Sequence, residues 1–238
     1  MKHALIIGGT KGLGRELAGR FSGLGDWRVT VLGRSRPEPS VPGVDYHVAD
    51  VADRAARQAA LTAAVGANGR LDTIVFCQRF RGQGDSWPGE LDVTLTATKE
   101  TLDWAFDQFA PAGWRSVVLV GSVAGLWIAA EQPAGYHVAK AGLETLIRYY
   151  AVKWGPAGIR VNGVAPSAFI KEESKNYHDT HPEVGARMAK LTPLRRMGTA
   201  GETADAVMFL ASERAAFITG QNLIVDGGLT LQLQTALG

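Results

Sequence analysis

One cysteine, Cys77, stands in 238 residues. A lone thiol cannot close an intramolecular disulfide, and such a chain is at home in a reducing compartment. Metal ligands are equally short. His178 and His181 lie close in sequence, but no cysteine or third histidine accompanies them, so no metal is expected. Charge of one sign is not in excess: 25 Lys and Arg oppose 23 Asp and Glu, a net +2. That balance gives no electrostatic argument for nucleic acid or a membrane surface. No apolar run reaches the ~18 residues of a membrane span. No apolar leader separates Met1-Lys2 from the first strand-like run, and the expected location is the cytoplasm. Neither a repeat nor a low-complexity segment interrupts the chain. A 46% hydrophobic content supplies a sizeable core. The length suits one α/β domain over residues 1–238 with no separate substrate domain.

What the sequence does have is glycine, and one cluster of it is placed for chemistry. His3-Ala4-Leu5-Ile6-Ile7 is an apolar run fit for a buried parallel strand. Gly8-Gly9-Thr10-Lys11-Gly12-Leu13-Gly14 follows, and then a helical pattern through Leu17, Ala18 and Phe21. Strand, glycine turn and helix are the context of dinucleotide binding. Glycines let the backbone approach a pyrophosphate, which rests on the unpaired N–H groups of the helix.

A second cluster lies far along the chain, in Tyr136-His137-Val138-Ala139-Lys140, with Ser122 before it. Side chains four apart share a helix face. A free tyrosine is a poor acid or base near neutrality, and a lysine cation held beside a phenol favours its ionised form.

The glycine spacing, taken with Ser122, Tyr136 and Lys140, resembles the short-chain dehydrogenase/reductase family. The likeness continues through Asp50-Val51, Arg160-Val161-Asn162-Gly163-Val164-Ala165-Pro166, Pro193-Leu194-Arg195-Arg196-Met197-Gly198 and Val225-Asp226-Gly227-Gly228. It implies a Rossmann fold: a doubly wound parallel sheet of about seven strands with helices on both faces. It assigns to the cofactor Gly8, Thr10, Lys11, Gly12, Leu13 and Gly14 of the turn, Arg34 and Ser35 after the second strand, and Asp50 and Val51 after the third. Cys77 and Gln78 after the fourth strand, Tyr136, Lys140 and Pro166 complete that set. The resemblance also makes Tyr136 a general acid/base, Lys140 its cationic neighbour, and Ser122 the group that holds a carbonyl oxygen. Where an acid near the end of the second strand would bind the ribose 2′-OH, this chain has Gly33-Arg34. A guanidinium there, helped by Lys11, suits a 2′-phosphate, so NADP(H) is the expected cofactor. The expected partners are a small carbonyl or alcohol substrate and further copies of the chain in a homodimer or homotetramer.

The pattern is broken in places. Phe76-Cys77-Gln78-Arg79 stands where the family has Asn-Asn-Ala-Gly, and Thr94 where it has a fourth catalytic residue, an asparagine. These departures crowd the nicotinamide side. They keep open a second reading, a family member that binds cofactor with weak or no turnover and serves as a partner or redox-sensing subunit. A cofactor-recycling isomerase or dehydratase is a third. Arg79-Phe80-Arg81 would border the substrate, either as a solvated loop or as a pair of guanidiniums for a carboxylate or phosphate. Trp127 and Ile128 would line the pocket or serve the core or an interface.

Further elements are expected at Arg28–Ser35, Val44–Val48, Leu71–Phe76, Ser116–Val120, Ile159–Val164 and Leu223–Val225 as strands. Helices are expected from Asp53 to about Val65, Leu91 to Phe109, through Tyr136 to Trp154, and Glu202 to Ala211. Ser35–Gly43 and Ser167–Lys190 read as irregular, the second (residues 167–190) as a mobile substrate loop. The tail Leu229-Thr230-Leu231-Gln232-Leu233 alternates like an interface strand.

Overall fold

Apolar runs bounded by glycine or proline become strands, and the stretches between them become helices. The computed structural model describes residues 1–82 and 86–232, with the side chains of 173, 175 and 178 outside that description. Along the chain run β1 (Lys2–Ile7), α1 (Gly12–Gly23), β2 (Trp27–Gly33), β3 (Val44–Val48), α2 (Arg54–Asn68) and β4 (Thr73–Phe76). Next come α3 (Trp87–Leu91), a π-helical turn (Asp92–Thr96), α4 (Ala97–Ala105), β5 (Arg115–Val120), α5 (Ala134–Trp154) and β6 (Ile159–Pro166). The remainder comprises β7 (Phe169–Ile170), α6 (Glu172–Thr180), α7 (Pro182–Leu191), β8 (Gly198–Thr199), α8 (Ala200–Ala211) and β9 (Asn222–Val225).

Seven strands form one sheet in the order β3-β2-β1-β4-β5-β6-β9, every pair parallel. The expected Rossmann architecture is therefore the observed one. Period-two alternation in β1 sends Leu5 and Ile7 to one face of the sheet and Ala4 and Ile6 to the other. The first face packs on α2, α4 and α5, where Leu61, Leu102, Ile147 and Trp154 are buried; the second packs on α1 and α8 through Leu17, Phe21 and Val207. From β1 the chain works outward to β3 and then crosses back to β4. Ligands bind at such a reversal, beyond the strands' carboxyl ends.

Local signals set most boundaries. The Asp53 carboxylate accepts from the Ala56 N–H at 3.0 Å and starts α2. Gly155-Pro156 stops α5, with Gly158 beyond at φ +74°. Elsewhere the structure departs from the sequence pattern. Leu71 is not in β4 but bridges Phe109. The expected Leu91–Phe109 helix starts at Trp87, where the Ser86 hydroxyl caps it, and is interrupted by the π turn. Residues 167–190 are not irregular: they carry β7, α6 and α7. Residues 229–231 form a 3₁₀ turn, not a strand, and Leu233 lies outside the described residues. Among the described residues no helix is long and apolar enough to cross a membrane.

Candidate active site

At the switch point the turn after β1 meets the chain leaving β4 at backbone contact. A Cβ built on Gly8, itself at φ +82°, would stand 2.6 Å from the Gln78 nitrogen. A Cβ on Gly14 would stand 2.4 Å from the Gly8 carbonyl oxygen, so the first turn of α1 rests directly on the glycine turn. The N-cap residue of α1, Lys11, is extended and does not cap the helix with its own side chain. A cradle made of a glycine turn whose backbone nothing bulkier than glycine could form, backed by a helix of twelve residues, is what a pyrophosphate requires. The cradle therefore fits a dinucleotide.

One cavity of about 1220 Å³ runs from this cradle across the carboxyl ends of the strands. Gly8, Thr10, Lys11, Gly12, Leu13, Gly14, Arg34, Ser35, Asp50, Val51, Cys77, Gln78, Ser122, Tyr136, Lys140 and Pro166 all line it. Of the four residues expected to be catalytic, three are thus brought together. Thr94 does not line the cavity. It lies on the π-helical turn, buried, and its Oγ1 has no hydrogen-bond partner among the described residues.

Two elements hold the three candidate side chains. Ser122 follows β5 in extended conformation and accepts from the Ala124 N–H at 3.1 Å. Tyr136 lies in the first turn of α5, and Lys140 is one turn on. The neighbouring His137 faces away, its Nδ1 2.7 Å from the Ala124 carbonyl oxygen and its Nε2 3.1 Å from that of Ala129. This histidine ties the Ser122 loop to α5 and so fixes the serine relative to the tyrosine.

Lys140 is buried, and its Nζ donates to the Val120 carbonyl at 3.0 Å and lies 5.7 Å from the Tyr136 ring centre. Burial, then the nearby Arg79 charge, bring the Lys140 ammonium down to about 8, against the opposing pull of Glu90 and Cys77. Burial pushes the Cys77 thiol up to about 12, so it stays protonated and chemically quiet.

The departures from the family pattern have structural consequences. The Gln78 amide donates to Thr98 Oγ1 at 2.7 Å, which turns it into the wall of the cavity. The Arg79 guanidinium carbon stands 5.0 Å from the Tyr136 ring centre, and its Nη2 donates to Gln132 Oε1 at 3.1 Å. Ile128 lines the cavity; Trp127 does not and is half exposed.

Glu90 was not legible as a site residue. It is buried against Gly135, and its Oε2 has no partner among the described residues. Burial raises its carboxyl, while Arg79 and Lys140 pull it back. The α7 residues Val184 and Met188 also line the cavity and escaped notice. Their spacing with Leu191, after Pro182 in the first turn, is a helical signal that was present in the sequence.

Comparison with known proteins agrees with this architecture. A family model described as enoyl-(acyl carrier protein) reductase matches residues 9–230. An uncharacterized oxidoreductase of Schizosaccharomyces pombe is 34% identical over 236 residues, spanning 94% of this chain and 89% of its own. A glucose 1-dehydrogenase of Gluconobacter oxydans is 28% identical over 247 residues, 97% of this chain and 92% of its own. Among solved structures, a short-chain type dehydrogenase/reductase from Mycobacterium ulcerans superposes with a TM-score of 0.84 at 27% identity, covering 97% of this chain and 90% of that one.

Proposed function

The chain belongs to the short-chain dehydrogenase/reductase family, and from that premise we propose that it is an NADP(H)-dependent carbonyl reductase. The observation that carries this reading is the convergence of Ser122, Tyr136 and Lys140 on the cavity that the glycine cradle opens. Gly8, Thr10, Gly12, Leu13 and Gly14 would hold the pyrophosphate, Asp50 and Val51 the adenine, and Lys140 the nicotinamide ribose. When bound, the dinucleotide supplies hydride to a carbonyl carbon. Tyr136 donates the proton to the carbonyl oxygen and accepts it in the reverse direction. Ser122 orients that oxygen by a hydrogen bond. Lys140 keeps a positive charge beside the phenol, its ammonium anchored on Val120. Residues 167–190 form the substrate side, where α6 and α7 present Tyr177, Val184 and Met188 to the cavity.

Preference for NADP(H) rests on Arg34 and Lys11, both exposed on the cavity wall, with Gly33-Arg34 standing at the end of β2 in place of an acid that would contact a 2′-OH. Arg34→Glu is expected to weaken NADPH binding by about tenfold or more while sparing NADH, read by fluorescence titration of each. The reductase reading itself is tested by following NADPH absorbance with a panel of ketones and aldehydes. Turnover with any of them supports it. Tight NADPH binding with no turnover across the panel favours instead the cofactor-binding subunit, with Gln78, Arg79 and the buried Thr94 as the cause.

Assembly as a homodimer or homotetramer is supported by the outward face of α5, which leaves Val138, Tyr149 and Val152 exposed. Light scattering on the purified protein is expected to give a mass of two or four chains; a single-chain mass would remove the proposal.

A further inference from the structure

The cavity carries further basic side chains, remote in sequence from the turn that would hold the cofactor's phosphates. Arg79, Arg81, Lys171 and Arg187 line it together with the acids Asp92 and Glu131, and Arg79 stands against Tyr136. No carboxylate among the described residues lies within ion-pair distance of Arg79, Arg81 or Arg187. Arg79 is the most informative of them. Its guanidinium lies over the Tyr136 ring, 5.0 Å from its centre, and one N–H is taken by Gln132. A guanidinium has five N–H donors, so donors are left over beside the phenol that a substrate carbonyl must come to meet.

Resting on the reductase reading, we propose that Arg79 anchors an oxyanion-binding subsite, and that the substrate is an oxo acid with a carboxylate or phosphate a short span from the reacting carbonyl. Charge balance argues the same way. Arg79 and Lys140 share the neighbourhood of Tyr136 with one buried carboxyl, Glu90, and an incoming anion offsets the excess. Oxyanions satisfy a guanidinium with two parallel charge-assisted hydrogen bonds. Ile128, Phe169, Val184 and Met188 also line the cavity, and such apolar lining suits a hydrocarbon body behind the charged head.

The test compares matched pairs at pH 7 with saturating NADPH. One arm sets 2-oxo and 3-oxo carboxylic acids against their methyl esters; the other sets a phosphorylated hydroxyketone against its free alcohol. Within each pair the ratio of kcat/KM, charged over neutral, is expected to reach about ten to a hundred in one arm. Arg79→Ala is expected to bring that ratio close to one, and Arg79→Lys to keep part of it. The favoured arm identifies carboxylate or phosphate. Turnover with a ratio near one in the native protein, or a ratio that survives Arg79→Ala, overturns the subsite and leaves the reductase reading standing. Should no carbonyl turn over, that reading fails, and malonate and inorganic phosphate are titrated calorimetrically onto the NADPH-saturated protein. Binding that disappears in Arg79→Ala then supports the subsite by itself, and absence of binding overturns it.

Discussion

Tyr136→Phe is expected to lower kcat/KM for NADPH-driven carbonyl reduction by about 10²–10⁴-fold, the usual worth of a positioned general acid, with NADPH affinity changed little. The substitution removes one oxygen and keeps the ring. Arg79 at 5.0 Å and Lys140 at 5.7 Å therefore still have an aromatic face to pack on. A loss confined to turnover separates chemistry from binding. Parallel collapse of NADPH affinity would mean that Tyr136 is chiefly a structural or cofactor contact. The same site predicts a pH profile. The Lys140 ammonium, brought down to about 8 by burial and by Arg79, is charged below that pH and loses its proton above it. Hence kcat/KM falls as pH rises through about 8. Because the Arg79 charge is one cause of the low value, Arg79→Ala is expected to move this alkaline limb to higher pH. A limb that stays in place would remove Arg79 from the electrostatics of the site.

Gly14→Ala is expected to cost NADPH affinity about a hundredfold, close to 2.7 kcal/mol, and to lower the melting temperature. The added methyl would lie 2.4 Å from the Gly8 carbonyl oxygen and 2.7 Å from the Gly9 Cα. Both are backbone atoms that cannot swing aside, so α1 must lift off the turn it supports. Overpacking of this kind typically costs about 1–3 kcal/mol of stability. Gly23, at the other end of the same helix, meets nothing within 4 Å. Gly23→Ala is therefore expected to be neutral or to stabilise by up to about 1 kcal/mol. Thermal melts and fluorescence titrations of both variants check the contrast. Equal behaviour would show that close approach at Gly14 is unimportant.

Much of the cofactor side was legible because its signals are local. An apolar strand, glycines at fixed spacing and a helix with apolar periodicity are all set by neighbours in sequence. Every residue assigned to the cofactor from the sequence lines the cavity. The substrate side was read less well. Val184, Met188 and Leu191 kept helical spacing inside a polar stretch, and overall polarity hid the α7 pattern that covers the cavity. Thr94 aligned with a catalytic position, yet its side chain is buried away from the cavity, because alignment fixes place in a chain and not where a side chain is aimed.

The sequence by itself determined the parallel α/β layering, the glycine turn and the pairing of Tyr136 with Lys140 on one helix face, since each follows from spacing within a single element. Only the tertiary structure decided that Arg79, following β4, packs on a tyrosine of α5 and leans on Lys140. It alone also buried Glu90 within reach of both charges. These relations join elements far apart in the chain, and the charge a site presents depends on distances and burial, which exist only once the sheet has brought those elements together.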